Sequence, residues 1–569
     1  SGTDEYYLIN TAPFYTAVKP DKIYLNQIER TEATMGSLAA NRWDWGDNDA
    51  LGYETIYVRL GDDADPDTKA STDESYVKRG DISAPADVVR STDVGKYIRM
   101  LGGFIKITTY TSAIVVKGEI LKELSGTTET ANWTLESEMW SAANGYPSCG
   151  VFFENRLCVA GSSAFPETVW CSVSGDYENF TPGTDDADSI QFTLAGRQIS
   201  VIRWMETRDY LIIGCIGGEW RVGPDDSGAL LTPLNVTAKQ RMTKGVANTL
   251  PVTVDSSTLY VQRAGRKIRE FTFQFESEGY LAPDLNLLAE HISEGGIKEI
   301  VFQQEPLSIL WCVRNDGKLI AMTYMREQDV VGWHFHETDG LVESLAVIRG
   351  DGYDELWAMV NRTIDGNTVR NIEMLEKFFT DSNETFKANK GLNAFFADSG
   401  ITYNGAPATT ITGLAHLEGE EVAVLADGSV VEGKTVLAGQ ITLSAAASIV
   451  HVGLPYTGLI ETLRFDTTLQ DGTAQSKLKR VIKMFLRVNE SGVFKAGRDE
   501  DNLLPVTATS TGITTGGGLS IILGAVPDLF TGDLEYFIND DFDREGRVVI
   551  VQDKPLPLAL LAIIAEVET

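Results

Sequence analysis

The chain's five histidines and five cysteines are the side chains best suited to metal or nucleophilic chemistry, and two of the histidines stand one residue apart. They lie in GWHFHETDG, Gly332 to Gly340. Residues 331–337 have strand period, so Trp333 and Phe335 face one way and His334 and His336 the other. Two imidazoles on one strand face can bind zinc, but a catalytic centre needs a third protein ligand. His291, His416 and His451 stand alone in unrelated segments. Cys312 belongs to the same proposed β unit, with no direction fixed for its side chain. The expectation is that the aromatics pack between sheets and that His334 and His336 are surface or interface groups near the strand edge.

Other chemical signals are weaker. GCIGGEW (214–220) clusters glycines after a strand, but a dinucleotide fingerprint needs a helix next, and EWRVGP continues as strand and turn. A hairpin turn is expected there. In NDDFDREGRVVIVQ, Asp541, Asp543, Glu545 and Gly546 match the front of a calcium loop, with Gln552 at the closing position. A helical calcium hand would place a bidentate Glu there and helices on both sides. A solvated acidic hairpin is the plainer reading, with a calcium-bound turn as the alternative. There is no GxSxG, no HExxH and no framed Cys–His pair. A glycosidase needs two carboxylates across a cleft, which so acidic a chain neither reveals nor excludes. The sialidase repeat S-x-D-x-G-x-x-W does not occur. No catalytic, cofactor-binding or metal-ligating residue is assigned, and no cofactor is expected.

Cysteines 149, 158, 171, 215 and 312 form no CxxC and no regular spacing, which reads as reduced thiols of a cytosol-made protein. Lys and Arg number 48 against 81 Asp and Glu, a formal charge of −33 at pH 7. Such a surface repels nucleic acid. The opening SGTDEYYL has no basic or apolar leader, so no visible secretory precursor is expected. The longest apolar run, PLPLALLAIIAEVE, is shorter than the roughly 20 residues that span a bilayer, so it is expected to lie in a core.

The elements that position these residues read as all-β. At 569 residues the chain exceeds one core. Its 53 glycines fall mostly at turns between short apolar runs. Residues 1–95 read as an N-terminal β module. There KPDKIYLNQIERTEA and YETIYVRL are strand-like, DDADPDTKASTDES is an acidic loop, and MGSLAANRWDWGDNDALG is a packed loop. Residues 96–145 form a connecting β segment. From 146 to 377 a strand–turn–strand pattern returns about every 50 residues, the period of propeller blades. Examples are NRLCVAGSSAFPETVWCSVS, RDYLIIGCIGGEWRVG and LSILWCVRNDGKLIAMTY, the last turning at Asn315-Asp316-Gly317. A β-propeller is expected, with paired β-sandwiches as the alternative. Residues 378–458 form a small inserted β domain, with a turn at Asp427-Gly428 and two strands from QITLSAAASIVHVGLPY. Residues 459–569 form a C-terminal β domain in which KLKRVIKMFLRVNESGVFKAG is a long hairpin. The extra domains are small β-barrels or sandwiches. No helical period is sustained beyond about a dozen residues.

Several segments together resemble the tail nozzle proteins, or tail tubular proteins B, of short-tailed bacteriophages. They are W-S-x-x-N-G-Y-P at 140–147, F-F-x-x-R-L at 152–157 and S-x-x-G-D-Y-x-N-F at 172–180, followed by RNDGKLIAMTYMREQDVVGWHFHETDG at 314–340. HLEGEEVAVLADGSVV and HVGLPYTGLIETL are similar to that family's small inserted domain, and GRVVIVQDKPLPLALLAI to its C-terminal ending. The likeness covers most of the chain from about residue 90. It implies a structural virion protein, made in the host cytoplasm, six copies of which build the distal tail tube. Its partners would be the tubular adaptor, outer spikes or fibres, and the DNA passing through the lumen. It implies no catalytic residues and no membrane insertion. Family members usually begin with a longer wall-shaping segment, so residues 1–90 look like an extra module.

The alternative is a glycan-binding or glycan-cleaving tail protein, suggested by the propeller, the acids and the aromatics (Phe 23, Tyr 19, Trp 10). A secreted propeller adhesin is disfavoured by the missing leader. On the conduit reading, six acidic copies form a lumen along which phosphate does not stick. Lys introduced into lumen loops is then expected to slow DNA ejection; unchanged ejection kinetics would argue against the idea. A His334→Ala, His336→Ala double variant is expected to leave folding and metal content unchanged.

Overall fold

A computed structural model describes residues 82–568 with their side chains, apart from 85–87, 127–128, 197–198, 225–228, 275–278, 380–390, 467–472, 476, 507–528 and 539–540; across 1–81 it describes the backbone of the strands. The acidic stretch 62–74 lies outside the described residues. The protein is all-β: among the described residues every helix is a short 3-10 turn. No helix there is long and apolar enough to cross a membrane.

The chain divides into two compact units, one comprising residues 1–146 with 162–164 and the other the remainder. The first contains a six-stranded and a five-stranded sheet. Arg42–Gly46 is a strand of the six-stranded sheet, where the sequence suggested a loop. Its alternating Trp-Asp-Trp has strand period, which the flanking glycines disguised. The expected boundary at residue 95 also moves. Arg79–Ser83 pairs antiparallel with Val115–Lys122, so the second sheet begins near residue 79 and takes in the supposed connecting segment. Its core gathers Val89, Ile98, Ile107 and Val116.

The second unit begins with the β-propeller. Its first four blades are four-stranded antiparallel meanders: Cys149–Phe153 to Ile190–Thr193, Ile202–Thr207 to Thr237–Met242, Val252–Val254 to Gly279–Leu281, and Ile297–Gln303 to Val330–His336. A three-stranded blade follows, Leu341–Arg349, Asp354–Ile364 and Asn367–Met374. The hairpins seen in the sequence are the middle strands of the blades. Leu211–Cys215 and Ser257–Val261 are buried along their whole length. A strand apolar on both faces needs a neighbour on each side. Four successive cores supply them, each shared by consecutive blades.

Beyond the propeller, Asp398–Thr412, Gln440–Leu454, Glu421–Ala426 and Ser429–Thr435 form one sheet in that order. Gln440–Leu454 is a single 15-residue strand, where two were expected. The SAAAS stretch offers no breaker, and irregular pairing with Asp398–Thr412 absorbs the bend. In the C-terminal domain, Arg480–Ser491 and Phe494–Gly497 are consecutive but belong to different sheets, so the expected hairpin does not form. The two sheets share one core, around Met484, Leu486, Phe494 and Ile550. The last strand, Ala559–Glu568, buries one face only, leaving Leu561 and Ile564 exposed. A bulge that skips Leu561 turns it outward, and Ile564 lies on the outer face of an edge strand, so uniform hydropathy does not give full burial.

Cys158 and Cys171 correct the expectation of reduced thiols. They face each other across adjacent strands of the first blade and are joined in a disulfide. Linear spacing carries no trace of that cross-strand register. Cys149, Cys215 and Cys312 are free.

The first blade's outer connection is tied by Arg156. Only 3% exposed, it donates to the carbonyls of Ser172 (2.7 Å), Asp186 (2.6 Å), Ala187 (3.2 Å) and Asp188 (2.5 Å). A guanidinium supplies five donors in a fixed fork, which suits a cluster of carbonyls that lack strand partners. Arg156→Met removes those donors while keeping much of the bulk. The Ser172 carbonyl is the buried acceptor among the four, and leaving it unpaired costs about 1–3 kcal/mol. The variant is expected to shift the urea unfolding midpoint clearly downward; an unchanged midpoint would count against this role.

Candidate functional site

The two histidines of Val330–His336 occupy the outermost strand of the fourth blade. As expected, Trp333 and Phe335 point away from them. Trp333 joins the core shared with the third blade and its indole N–H donates to the Leu285 carbonyl at 2.9 Å. Phe335 remains 42% exposed. On the other face, His334 Nδ1 and His336 Nε2 are 2.7 Å apart, so one ring donates its proton to the other's bare nitrogen. The Trp311 ring lies 4.7 Å from the His336 ring, and Thr323 Oγ1 lies 3.4 Å from His334 Nε2. The histidines are therefore a half-buried, mutually bonded pair against a core tryptophan, which corrects their assignment as surface groups. Sequence period showed which face they share; it carried no information on what covers that face.

The remaining sequence candidates are structural. Cys215 pairs with Gly218 across a two-residue turn, so the glycine cluster is a hairpin. The Trp204 ring lies on Gly214, where a Cβ would come within 2.3 Å of it. Asp543 Oδ1 accepts from the backbone N–H groups of Glu545 (2.8 Å) and Gly546 (2.6 Å), and Glu545 pairs with Arg547 at 2.9 Å. His451 bonds Thr402 and the Leu392 carbonyl, each at 2.8 Å, and His416 the Ser399 carbonyl, also at 2.8 Å. Among the described residues no group of three or more His, Cys, Asp or Glu could hold a metal ion.

Two cavities of the propeller bear on chemistry. One, of about 250 Å³, lies by the first strands of blades one to three and is lined by Cys149, Arg203 and Asn248 among others. Burial pushes the Cys149 thiol up to about 11, which leaves it protonated and poorly nucleophilic at neutral pH. The larger, about 440 Å³, opens between the second and third blades. Arg208 and Tyr210 come from the turn between the second blade's first two strands, and Arg221 and Arg241 from its last two. The third blade adds Ser256, Thr272, Phe273 and Tyr280. The Arg221 guanidinium sits 4.7 Å from the Tyr210 ring centre and that of Arg241 5.5 Å from Tyr280. Phe271 stacks on Tyr280 at 4.9 Å, and Tyr210 meets Tyr280 edge-on at 6.0 Å. Burial and then the Tyr280 hydroxyl raise the Tyr210 phenol, keeping it a neutral donor. Arg208 donates to the Ser256 carbonyl. Among the described residues, no carboxylate forms an ion pair with Arg208, Arg221 or Arg241. The arrangement can hold oxyanions by guanidinium forks and apolar ring faces by Phe273. Nothing in the sequence singles it out, because its parts are single strand residues spread over 208–280.

No protein-family model matches this sequence, and no curated protein does. Solved structures resemble it at low identity. The β-propeller domain of Cps50 (Swd1) from Myceliophteria thermophila is 9% identical, with a TM-score of 0.25 over 52% of this chain and 89% of that one. Raptor from Chaetomium thermophilum is 12% identical, with a TM-score of 0.27 over 54% of this chain and 27% of that one. An exo-β-1,3-galactanase from Phanerochaete chrysosporium is 10% identical, with a TM-score of 0.22 over 76% and 97%. At these scores the likeness carries no argument about activity.

The histidine pair generates a pH prediction. Burial, and then the neighbouring His334, hold the His336 imidazole down at about 4, and burial lowers His334 as well. Unfolded imidazoles take up a proton near 6.5. Between those values the unfolded chain binds more protons, so stability is full above about pH 6.5 and drains away as pH falls towards 4. The loss from His336 amounts to roughly 3 kcal/mol. A His334→Gln, His336→Gln variant should show a flatter dependence of its urea midpoint over that window than the parent. An equally steep curve would remove the pair from the account. The alanine double variant, contrary to the sequence-based expectation, should lose about 1–3 kcal/mol because it opens space beside Trp311.

Proposed function

We propose that this chain is a non-enzymatic structural protein of a short-tailed phage virion, six copies of which form the distal nozzle of the tail tube. One observation carries the reading. Two of the motifs behind the resemblance are spent on holding the first blade together. In F-F-x-x-R-L, Arg156 binds the four carbonyls of the outer connection. In S-x-x-G-D-Y-x-N-F, the Tyr177 hydroxyl donates to Asn155 Oδ1 at 2.9 Å, the Gly175 N–H donates to the Asn155 carbonyl at 2.8 Å, and Asn179 Oδ1 accepts from Thr181. Ser172 Oγ accepts from the Leu157 N–H at 3.0 Å. Polar residues used this way fix a shape, as a tube component requires.

The charge agrees with passage of DNA. At −33 per copy a ring of six repels phosphate, which keeps the lumen from retaining it. The tubular adaptor above and spikes or fibres outside are the partners on this reading, and the tail is the location.

Gold-labelled antibody against the chain, imaged on intact virions by electron microscopy, tests the proposal. Label is expected at the distal end of the tail tube. Label on peripheral spikes, or on no part of the particle, overturns it. In parallel, the purified chain is expected to release no reducing ends from host capsular polysaccharide, and steady release would refute the non-enzymatic part.

A further inference from the structure

We infer that the arginine–tyrosine cleft between the second and third blades binds an acidic saccharide, with a uronic acid unit as the anchoring group. The inference does not depend on the conduit reading.

The argument begins with charge. A chain at −33 has carboxylates to spare, yet Arg208, Arg221 and Arg241 line one cleft without a carboxylate ion pair among the described residues. Several arginines elsewhere are paired at short range, as Arg362 with Glu373, Arg487 with Asp533 and Arg326 with Glu270, and Arg156 is satisfied by four carbonyls. Three guanidiniums share this concavity with one lining carboxylate, Asp209, so the site keeps a net positive charge that an anion would offset.

The form of the anion follows from the lining. Arg221 and Arg241 already lie over the Tyr210 and Tyr280 rings, so one face of each of those rings is taken and Phe273 is the exposed ring of the lining. Both guanidiniums line the cavity, and a guanidinium fork suits a carboxylate. Asp209, Ser256 and Thr272 add hydroxyl and carboxylate acceptors at the wall. A carboxylate there would repel a dense phosphate but can accept from sugar hydroxyls. Phe273, 47% exposed, offers an apolar face for a pyranose ring. About 440 Å³ is within the range of small-ligand sites. Range sets the remaining limit. Across a Debye length of about 8 Å the three arginines dominate, whereas an extended polyanion meets the acidic surface beyond. The ligand is therefore short or sparsely charged.

The test uses the full chain and isothermal titration with a trigalacturonate, against a neutral galactose trisaccharide, inorganic phosphate and oligothymidylate. The uronate should bind and the other three should not. Arg221→Gln and Arg241→Gln should each weaken uronate binding about tenfold or more, as expected for loss of a charge-assisted bond. Arg203→Gln, in the other cavity, should leave it unchanged. Arg241 is exposed, so its variant is expected to keep the parental unfolding midpoint even if Arg221→Gln does not fold. Equal binding of the neutral sugar, tighter binding of phosphate or oligothymidylate, or indifference to Arg241→Gln overturns the inference.

Discussion

A blade whose inner strands are apolar on both faces cannot exist by itself, and this constraint governs the second unit. Leu211–Cys215 and Ser257–Val261 have no solvent-facing side. Each must be covered twice, once by the preceding blade and once by the following one. Trp204, Tyr260 and Phe271 accordingly fill the space between blades two and three, and Ile309, Trp311 and Leu356 that between blades four and five. Burial at about 25 cal/mol per Å² makes such shared cores the main stabilising term. The meander also leaves polar groups in the connections between strands. Arg156 satisfies one set by donating to four carbonyls.

The same economy of faces explains the buried ions. Lys479 is fully buried and donates to the Phe465 carbonyl (2.9 Å) and to Asp466 (3.0 Å). Arg362 lies 1% exposed with both arms on Glu373 at 2.7 Å. A buried charge without a partner is strongly destabilising, so each sits where a carbonyl and a carboxylate converge. Surface pairs such as Arg480–Glu568 add little. Against that background the arginines of the open cleft differ: Arg221 and Arg241 lie over tyrosine rings, and Arg208 donates to the Ser256 carbonyl.

Function on this view is divided between shape and surface. On the proposed reading, two of the motifs behind the resemblance fix the first blade, and the acidic charge would suit a passage for DNA. The cleft is a local exception to both. Its three cations are brought together by strand pairing within the second blade, and the third blade closes the cleft.

What the sequence by itself determined is what local periodicity can express. Alternation of apolar residues with Gly and Asp turns marked the blade hairpins, the Asp427-Gly428 turn and the opposed faces of Trp333 and His334, because strand geometry is set over a few residues. What only the tertiary structure decided is which surfaces meet. The pairing of Cys158 with Cys171, the membership of Arg79–Ser83 in the second sheet and the split of Arg480–Ser491 from Phe494–Gly497 all depend on register between strands. So does the cover of Trp311 over the histidines. The arginine cleft, assembled from residues 208 to 280 on two blades, is invisible along the chain for the same reason. Contacts between sheets are chosen by the burial of whole faces, and no window of neighbouring residues contains that information.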